Sequence, residues 1–305
     1  MKYLKKYKIF ESINKQEIHE TCEKYGIENY TINEDLTIDV DGSVFVVKGL
    51  TKLPIRFRNV SGDFYFHNNK LTSLEGAPTS VGGDFYCGNN NLTSLEGAPS
   101  SVGSDFYCGN NNLTSLEGAP SEVGGDFICN HNQLTILEGA PSEVGGSFDC
   151  SNNNLTSLEG APSEVGGDFY CYQNQIMSLE GAPKEVGGSF YCQYNQLTIL
   201  EGAPNRVSDY FYCNNNQITS LEGLEWKSFN RIDLRNNPVY EIVKDWINNE
   251  NRIDLIEYFI DMNVIQDGET KPKLILPRLE AFHEEMNLEM NINFKGVIKN
   301  YKIIK

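Results

Sequence analysis

The chain has 305 residues, 39% of them hydrophobic, and a formal net charge of −17, enough for a sizeable core in one elongated body or in two domains. No apolar run reaches the ~18 residues that a membrane-spanning helix needs. Residues 62–224 hold 19 Asp/Glu against 3 Lys/Arg, and so acidic a surface repels phosphates and anionic lipids, which argues against a nucleic-acid or membrane partner.

In chain order, "MKYLKKYKIFESI" carries lysines but no apolar stretch of the kind that follows them in a secretory signal, so a cytoplasmic location is expected. Residues 12–25 read as a short amphipathic helix, and residues 1–35 as a leader plus that helix. "LTIDVDGSVFVV" (36–47) predicts a β-hairpin turning at Asp41-Gly42. With "GLTKLP" and Val60 in phase with the downstream pattern, residues 36–61 form a capping hairpin and half-repeat.

Residues 62–242 repeat with a period of 21. Phe64, Phe85, Phe106, Phe127, Phe148, Phe169, Phe190 and Phe211 mark eight units. A cysteine follows two positions later in all but the first unit, and an asparagine three beyond that in every unit, from Asn69 to Asn216. A leucine or isoleucine and then an unbroken leucine column, Leu74 to Leu221, complete the motif. So short a period predicts one strand and one return segment per turn of a solenoid. Inward Phe, Cys, Leu and Val columns would make a continuous core, with glycines in the tight bends and Ala-Pro on an extended return. "RIDLRNNPV" is a last half-repeat, and the helical spacing after it predicts a helical cap over 243–305.

The pattern F-x-C-x-x-N-x-L-x-x-L resembles the leucine-rich-repeat template. The resemblance implies an α/β solenoid: a leucine-rich-repeat horseshoe with a parallel concave β-sheet, capped by an N-terminal helix and hairpin and by C-terminal helices. The short repeat with proline on the return arm is most similar to the bacterial-effector subclass, from which "VGG" departs by one extra residue. Effectors of that subclass can carry a ubiquitin-ligase domain with a catalytic cysteine, but no cysteine follows Cys213.

Seven of the eight cysteines share one inward position and lack any metal-ligand spacing, so they read as small buried hydrophobes. "HEEM" at His283 is not a zinc helix, and no phosphate loop or nucleophile motif occurs. The expectation is a non-enzymatic chain without metal or cofactor. Specificity is placed on the face opposite the core columns. Tyr65, Tyr86, Tyr107, Ile128, Asp149, Tyr170, Tyr191 and Tyr212 form its central column; Asp84, Asp105, Asp126, Asp168 and Tyr210 flank it. His131, Tyr172 and Tyr194 break the pattern beyond the cysteines. Tyrosine offers large contact area at low entropic cost, which suits a binding surface. The same rings could instead stabilise the sheet by stacking on one another. The Glu column from Glu75 to Glu222 reads as solvated turn residues or as acceptors for neighbouring amides.

The repeat wording is similar to repeat proteins of T4-like tailed phages. The N-terminus resembles the leaders of their internal head proteins, which implies a cut between Glu11 and Ser12 after Ile9-Phe10-Glu11. The leading expectation is thus a phage-encoded, monomeric, protein-binding scaffold in a bacterial host's cytoplasm. The alternatives are a packaged virion head protein and an acidic inhibitor of a nucleic-acid-binding or defence protein.

Overall fold

The computed structural model describes residues 14–46, 49–224, 227–248, 252–268, 270–292 and 294–305; the expected leader and its Glu11-Ser12 bond lie outside them. The chain folds as two units, one reaching residue 134 and including 138–145, the other comprising 135–137 and 146–305.

The first unit opens with helix α1 (Lys15–Tyr25). Asn14 accepts from the N–H groups of Gln16 and Glu17, while the Glu17 carboxylate reaches back to the Asn14 N–H, a reciprocal cap. Gly26, at φ 67°, ends the helix in the left-handed conformation, and Ile18 and Cys22 are buried. Strand Tyr30–Ile32 then pairs antiparallel with Thr37–Val40.

The hairpin expected over 36–47 is not formed. Thr37–Val40 pairs in parallel with Arg56–Val60, whereas Val44–Phe45 pairs in parallel with Phe64–Tyr65 in a different sheet. Asp41-Gly42 is therefore a corner between sheets. The Val44 N–H donates to the Asp63 carbonyl and the Gly62 N–H to the Gly42 carbonyl, so the following turn takes the bonds a hairpin would need. The antiparallel hairpin lies one strand earlier, at 30–40.

Each repeat contributes two short strands rather than the one expected. One is the Phe strand, such as Phe85–Tyr86; the other ends on the inward valine, such as Ser101–Val102. Both stack in parallel at a shift of one repeat, with Phe85 opposite Phe106 and Val81 opposite Val102. The first unit's Phe-strand sheet runs from Val44–Phe45 to Phe127–Ile128, and its second sheet from the N-terminal hairpin to Glu143–Val144. In the second unit the same sheets run from Phe148–Asp149 to Arg231–Asp233 and from Glu164–Val165 to Arg206–Val207.

The second sheet explains "VGG". A Cβ on Gly103 would sit 2.1 Å from the Gly82 carbonyl oxygen, and one on Gly187 equally close to that of Gly166. From Gly82 to Gly187 the backbones of successive turns approach too closely for a Cβ, and only at the two ends of the column, Ser61 and Ser208, does a side chain stand there.

Between the sheets lie the expected columns. The Phe rings stack at 5.4 Å between Phe85 and Phe106 and at 5.2 Å between Phe169 and Phe190; Cys, Leu and Val columns are buried beside them. Burial of each such side chain contributes roughly 1.5–3 kcal/mol. The buried asparagine joins the turns. Asn111 donates to the carbonyls of Cys87, in the previous turn, at 3.2 Å and Cys108, in its own, at 3.0 Å, and accepts the Leu92 N–H at 3.0 Å. Asn90 and Asn195 do the same in their turns.

In the second unit, residues after 239 form helices α2 (Tyr240–Val243), α3 (Arg252–Asp261), α4 (Leu276–Glu285) and α5 (Phe294–Asn300). They form the expected cap together with an unexpected three-stranded sheet, Ile265–Gln266, Lys273–Ile275 and Lys302–Ile304. Trp246, Phe259 and Phe282 form its core. The buried Tyr301 donates its hydroxyl to the Thr219 carbonyl at 2.7 Å, fastening the C-terminal segment to the repeats. Asn248 closes the edge strand by exchanging two 3.2 Å hydrogen bonds with Ile232.

Two substitutions test this account by urea unfolding followed by far-UV circular dichroism. Asn111→Ala strands one buried N–H and two carbonyls and should cost about 2–4 kcal/mol, while the exposed neighbour Asn112→Ala should cost under ~0.5 kcal/mol. Gly103→Ala should destabilise by at least ~1 kcal/mol, because its methyl group has no space against Gly82.

Candidate functional site

The expected central column lies on the outward side of the Phe-strand sheet. In the first unit Tyr65, Tyr86 and Tyr107 stack at 4.7 and 5.5 Å, and Ile128 pairs in register with Tyr107. In the second unit Asp149 pairs with Tyr170, and Tyr170, Tyr191 and Tyr212 stack at 4.6 and 4.7 Å. These residues are half-buried, so each unit presents the edges and hydroxyls of a ring stack. Gly88 leaves room for this packing: a Cβ there would meet Tyr107 ring carbon Cε1 at 2.1 Å.

The flanking carboxylates have a structural task that the sequence reading did not assign. Asp84 N–H donates to Asp63 Oδ1 at 3.0 Å, Asp105 N–H to Asp84 Oδ1 at 3.1 Å, and Asp126 N–H to Asp105 Oδ1 at 2.8 Å. Asp168 likewise accepts the Ser189 N–H at 2.7 Å. Each side chain thus caps the following turn, and Ser147, by accepting the Asp168 N–H, does the same with a hydroxyl. The second oxygen can take a tyrosine: Tyr65 donates to Asp84 at 2.9 Å and Tyr170 to Asp168 at 2.6 Å. Burial pushes Asp84 upward, but the Asp105 N–H and the Ser104 and Tyr65 hydroxyls outweigh it and hold the carboxyl below its usual value. Burial and the neighbouring carboxylates raise Tyr65, Tyr86 and Tyr170, Tyr86 to about 12.

Two pattern breaks are also explained. Asp149, in the tyrosine column, accepts the N–H of Ser151 at 2.9 Å, a local turn. Tyr210, in the aspartate column, stacks on Tyr212 at 5.5 Å. Tyr172 is half-buried with its ring edge toward Tyr170. His131 and Tyr194 are exposed and have φ of 51° and 58°. The same position carries asparagine at φ 53–61° in Asn68, Asn89, Asn110, Asn152, Asn215 and Asn236, and Gln173 at 54°.

Three residues of this face escaped the sequence reading. Phe45, 60% exposed, stacks on Tyr65 at 4.8 Å and extends the first unit's stack by one ring. Its strand starts a sheet, so no upstream repeat flagged it. Arg231 and Arg235 lie on the last half-repeat, whose register "RIDLRNNPV" could have placed them in the flanking and post-strand columns. The Glu75-to-Glu222 column is exposed, as solvated turn residues would be.

All eight cysteines are free and buried, with Cys22 on α1. Among the described residues no group of three or more His, Cys, Asp or Glu side chains could hold a metal ion. His283 is buried against Phe282, and burial lowers its pKa.

Parallel two-residue strands, 21-residue turns, the inward Leu columns and the asparagine ladder define the architecture as a leucine-rich-repeat solenoid. No family model and no curated protein matches the chain. Among solved structures it is similar to YopM from Yersinia enterocolitica WA-314, at 15% identity and a TM-score of 0.29, over 64% of this chain and 64%, less than two thirds, of that one. It is also similar to the APL1 leucine-rich repeat domain, at 14% identity and a TM-score of 0.31, over 68% of this chain and 88% of that one. Neither likeness carries a functional argument.

The buried thiols have a consequence for pH. Burial raises the pKa of Cys87, Cys108, Cys150, Cys171, Cys192 and Cys213 above the 9.0 of an exposed thiol. The stability from keeping them protonated is complete below the unfolded-state value and is lost as pH rises through it toward the folded-state value. Tm should therefore stay level from pH 7 to 8 and fall steeply above pH ~9, where unfolding free energy is lost at up to about 1.4 kcal/mol per thiol per pH unit. At pH 8 a thiol reagent such as DTNB should leave the column cysteines of the folded chain untouched and titrate all eight cysteines in urea.

Proposed function

We propose that the chain is a non-enzymatic scaffold that binds a protein through the outward face of its Phe-strand sheet. One observation carries the reading. The position after the strand demands a left-handed backbone, and six of its nine occupants are asparagine, the non-glycine residue that adopts it at least cost. Gln173 and Tyr194 depart from asparagine at a cost of about 1 kcal/mol each, His131 departs at less, and all three are exposed. Backbone strain accepted under exposed, chemically distinctive side chains points to use of those side chains outside the fold. The tyrosine columns beside them supply aromatic area already held in place by stacking.

The test is capture from bacterial lysate with the immobilised full chain, at low and at high salt, with mass spectrometry to identify what is retained. A single stoichiometric protein is expected. Tyr170→Ala with Tyr191→Ala should abolish its capture while unfolding free energy falls by no more than about 3 kcal/mol, the sum of two stacked pairs and the Tyr170 hydrogen bond to Asp168. A matched fall in capture and stability would return the rings to a purely structural role. Tyr194→Asn separates the two further: it should raise stability by about 1 kcal/mol and weaken capture.

A further inference from the structure

The last half-repeat reverses the charge of this face. In the column that holds Asp63, Asp84, Asp105, Asp126 and Asp168, it places Arg231, paired in register with Tyr210. In the tyrosine column it places Asp233, paired with Tyr212, whose carboxylate is held by Arg235 at 2.6 Å. Tyr210, Tyr212, Tyr240, Arg231, Arg235 and Asp233 line a cavity of about 290 Å³. Two guanidinium groups face one carboxylate there, and the carboxylate is already taken. Among the described residues the Arg231 guanidinium has no hydrogen-bond or ion-pair partner.

Size, charge and edge geometry select the occupant. A cavity of this volume is at the small end of ligand pockets and fits a group the size of one residue. One unpaired guanidinium matches one carboxylate, whereas a phosphate dianion calls for more unpaired cationic charge than the pocket holds. Addition of a partner strand is blocked, because Asn248 occupies both the N–H and the carbonyl of Ile232 on the edge strand. Entry is therefore by a side chain or a chain end. We propose that this pocket anchors one carboxylate-bearing residue of a protein partner, an Asp or Glu side chain or a terminal carboxylate. Arg231 holds the carboxylate, and the rings of Tyr210, Tyr212 and Tyr240 flank its stem. The proposal rests on the reading of the tyrosine face as a protein-binding surface.

The probes are two fluorescein-labelled random heptapeptide pools, identical except that the central residue is fixed as Glu in one and Gln in the other. Fluorescence anisotropy is read against the full chain. The Glu pool should reach half-saturation at roughly tenfold lower chain concentration than the Gln pool, the advantage of a charge-assisted hydrogen bond. Arg231→Gln should erase that difference and leave Tm unchanged, since the guanidinium it removes has no partner; Arg231→Lys should restore part of it. Equal binding of the two pools, or a Glu preference that survives Arg231→Gln, would overturn the pocket. Failure of the face reads differently: a Glu preference dependent on Arg231, with lysate capture indifferent to Tyr170→Ala and Tyr191→Ala, keeps the pocket and removes the tyrosine surface.

Discussion

Every turn of the repeats depends on one buried amide. The turn after each Phe strand buries backbone groups that neither sheet can pair, and an unpaired buried donor or acceptor costs about 1–3 kcal/mol. The asparagine in the fifth place after the phenylalanine meets them together, as Asn195 does for the carbonyls of Cys171 and Cys192 and for the N–H of Ile176. No other side chain of that size offers two donors and an acceptor in this geometry. Because one of those bonds reaches the previous turn and another the present one, the ladder fixes the 21-residue spacing as well as satisfying it.

With spacing fixed, strands of only two residues suffice. Their short backbone ladders are lengthened by side chains that imitate backbone: the Asp and Ser column accepts the next turn's N–H along one flank, and the buried asparagine accepts the previous turn's N–H along the other. On the second sheet the opposite solution applies. Just after each inward valine the side chain is dispensed with from Gly82 to Gly187, and the previous turn's carbonyl takes the place a Cβ would need. The core columns then vary little because each residue packs on its own copy one turn away.

Variation is greatest away from the buried columns. At the two positions after each column cysteine the chain departs from small residues and asparagine in favour of Tyr172, Gln173, Tyr194 and His131. The flanking aspartates, by contrast, serve the fold first. Their remaining negative charge colours the face, and at Arg231 a cation without a partner among the described residues interrupts it.

The sequence by itself determined the repeat, its period, the inward columns from Phe64 to Leu221 and the burial of the cysteines among them. Each of these follows from a local alternation repeated eight times, and repetition makes a weak local signal readable. The outward placement of Tyr86, Tyr170 and their equivalents was legible for the same reason. Other features depended on the tertiary structure. The Asp41-Gly42 corner carries the same signature as a hairpin turn, and only pairing with the following turn distinguishes them. The second sheet has one inward valine per strand and so no alternation to read. The aspartate ladder and the glycine contacts bring together residues about 21 positions apart, and a one-dimensional reading sees identical letters where the folded chain sees a donor above an acceptor. The pocket at Arg231 arises where the repeat stops and a helix begins; it has no second copy in the sequence, and only the packing of Tyr240 and Asn248 against the last strand creates it.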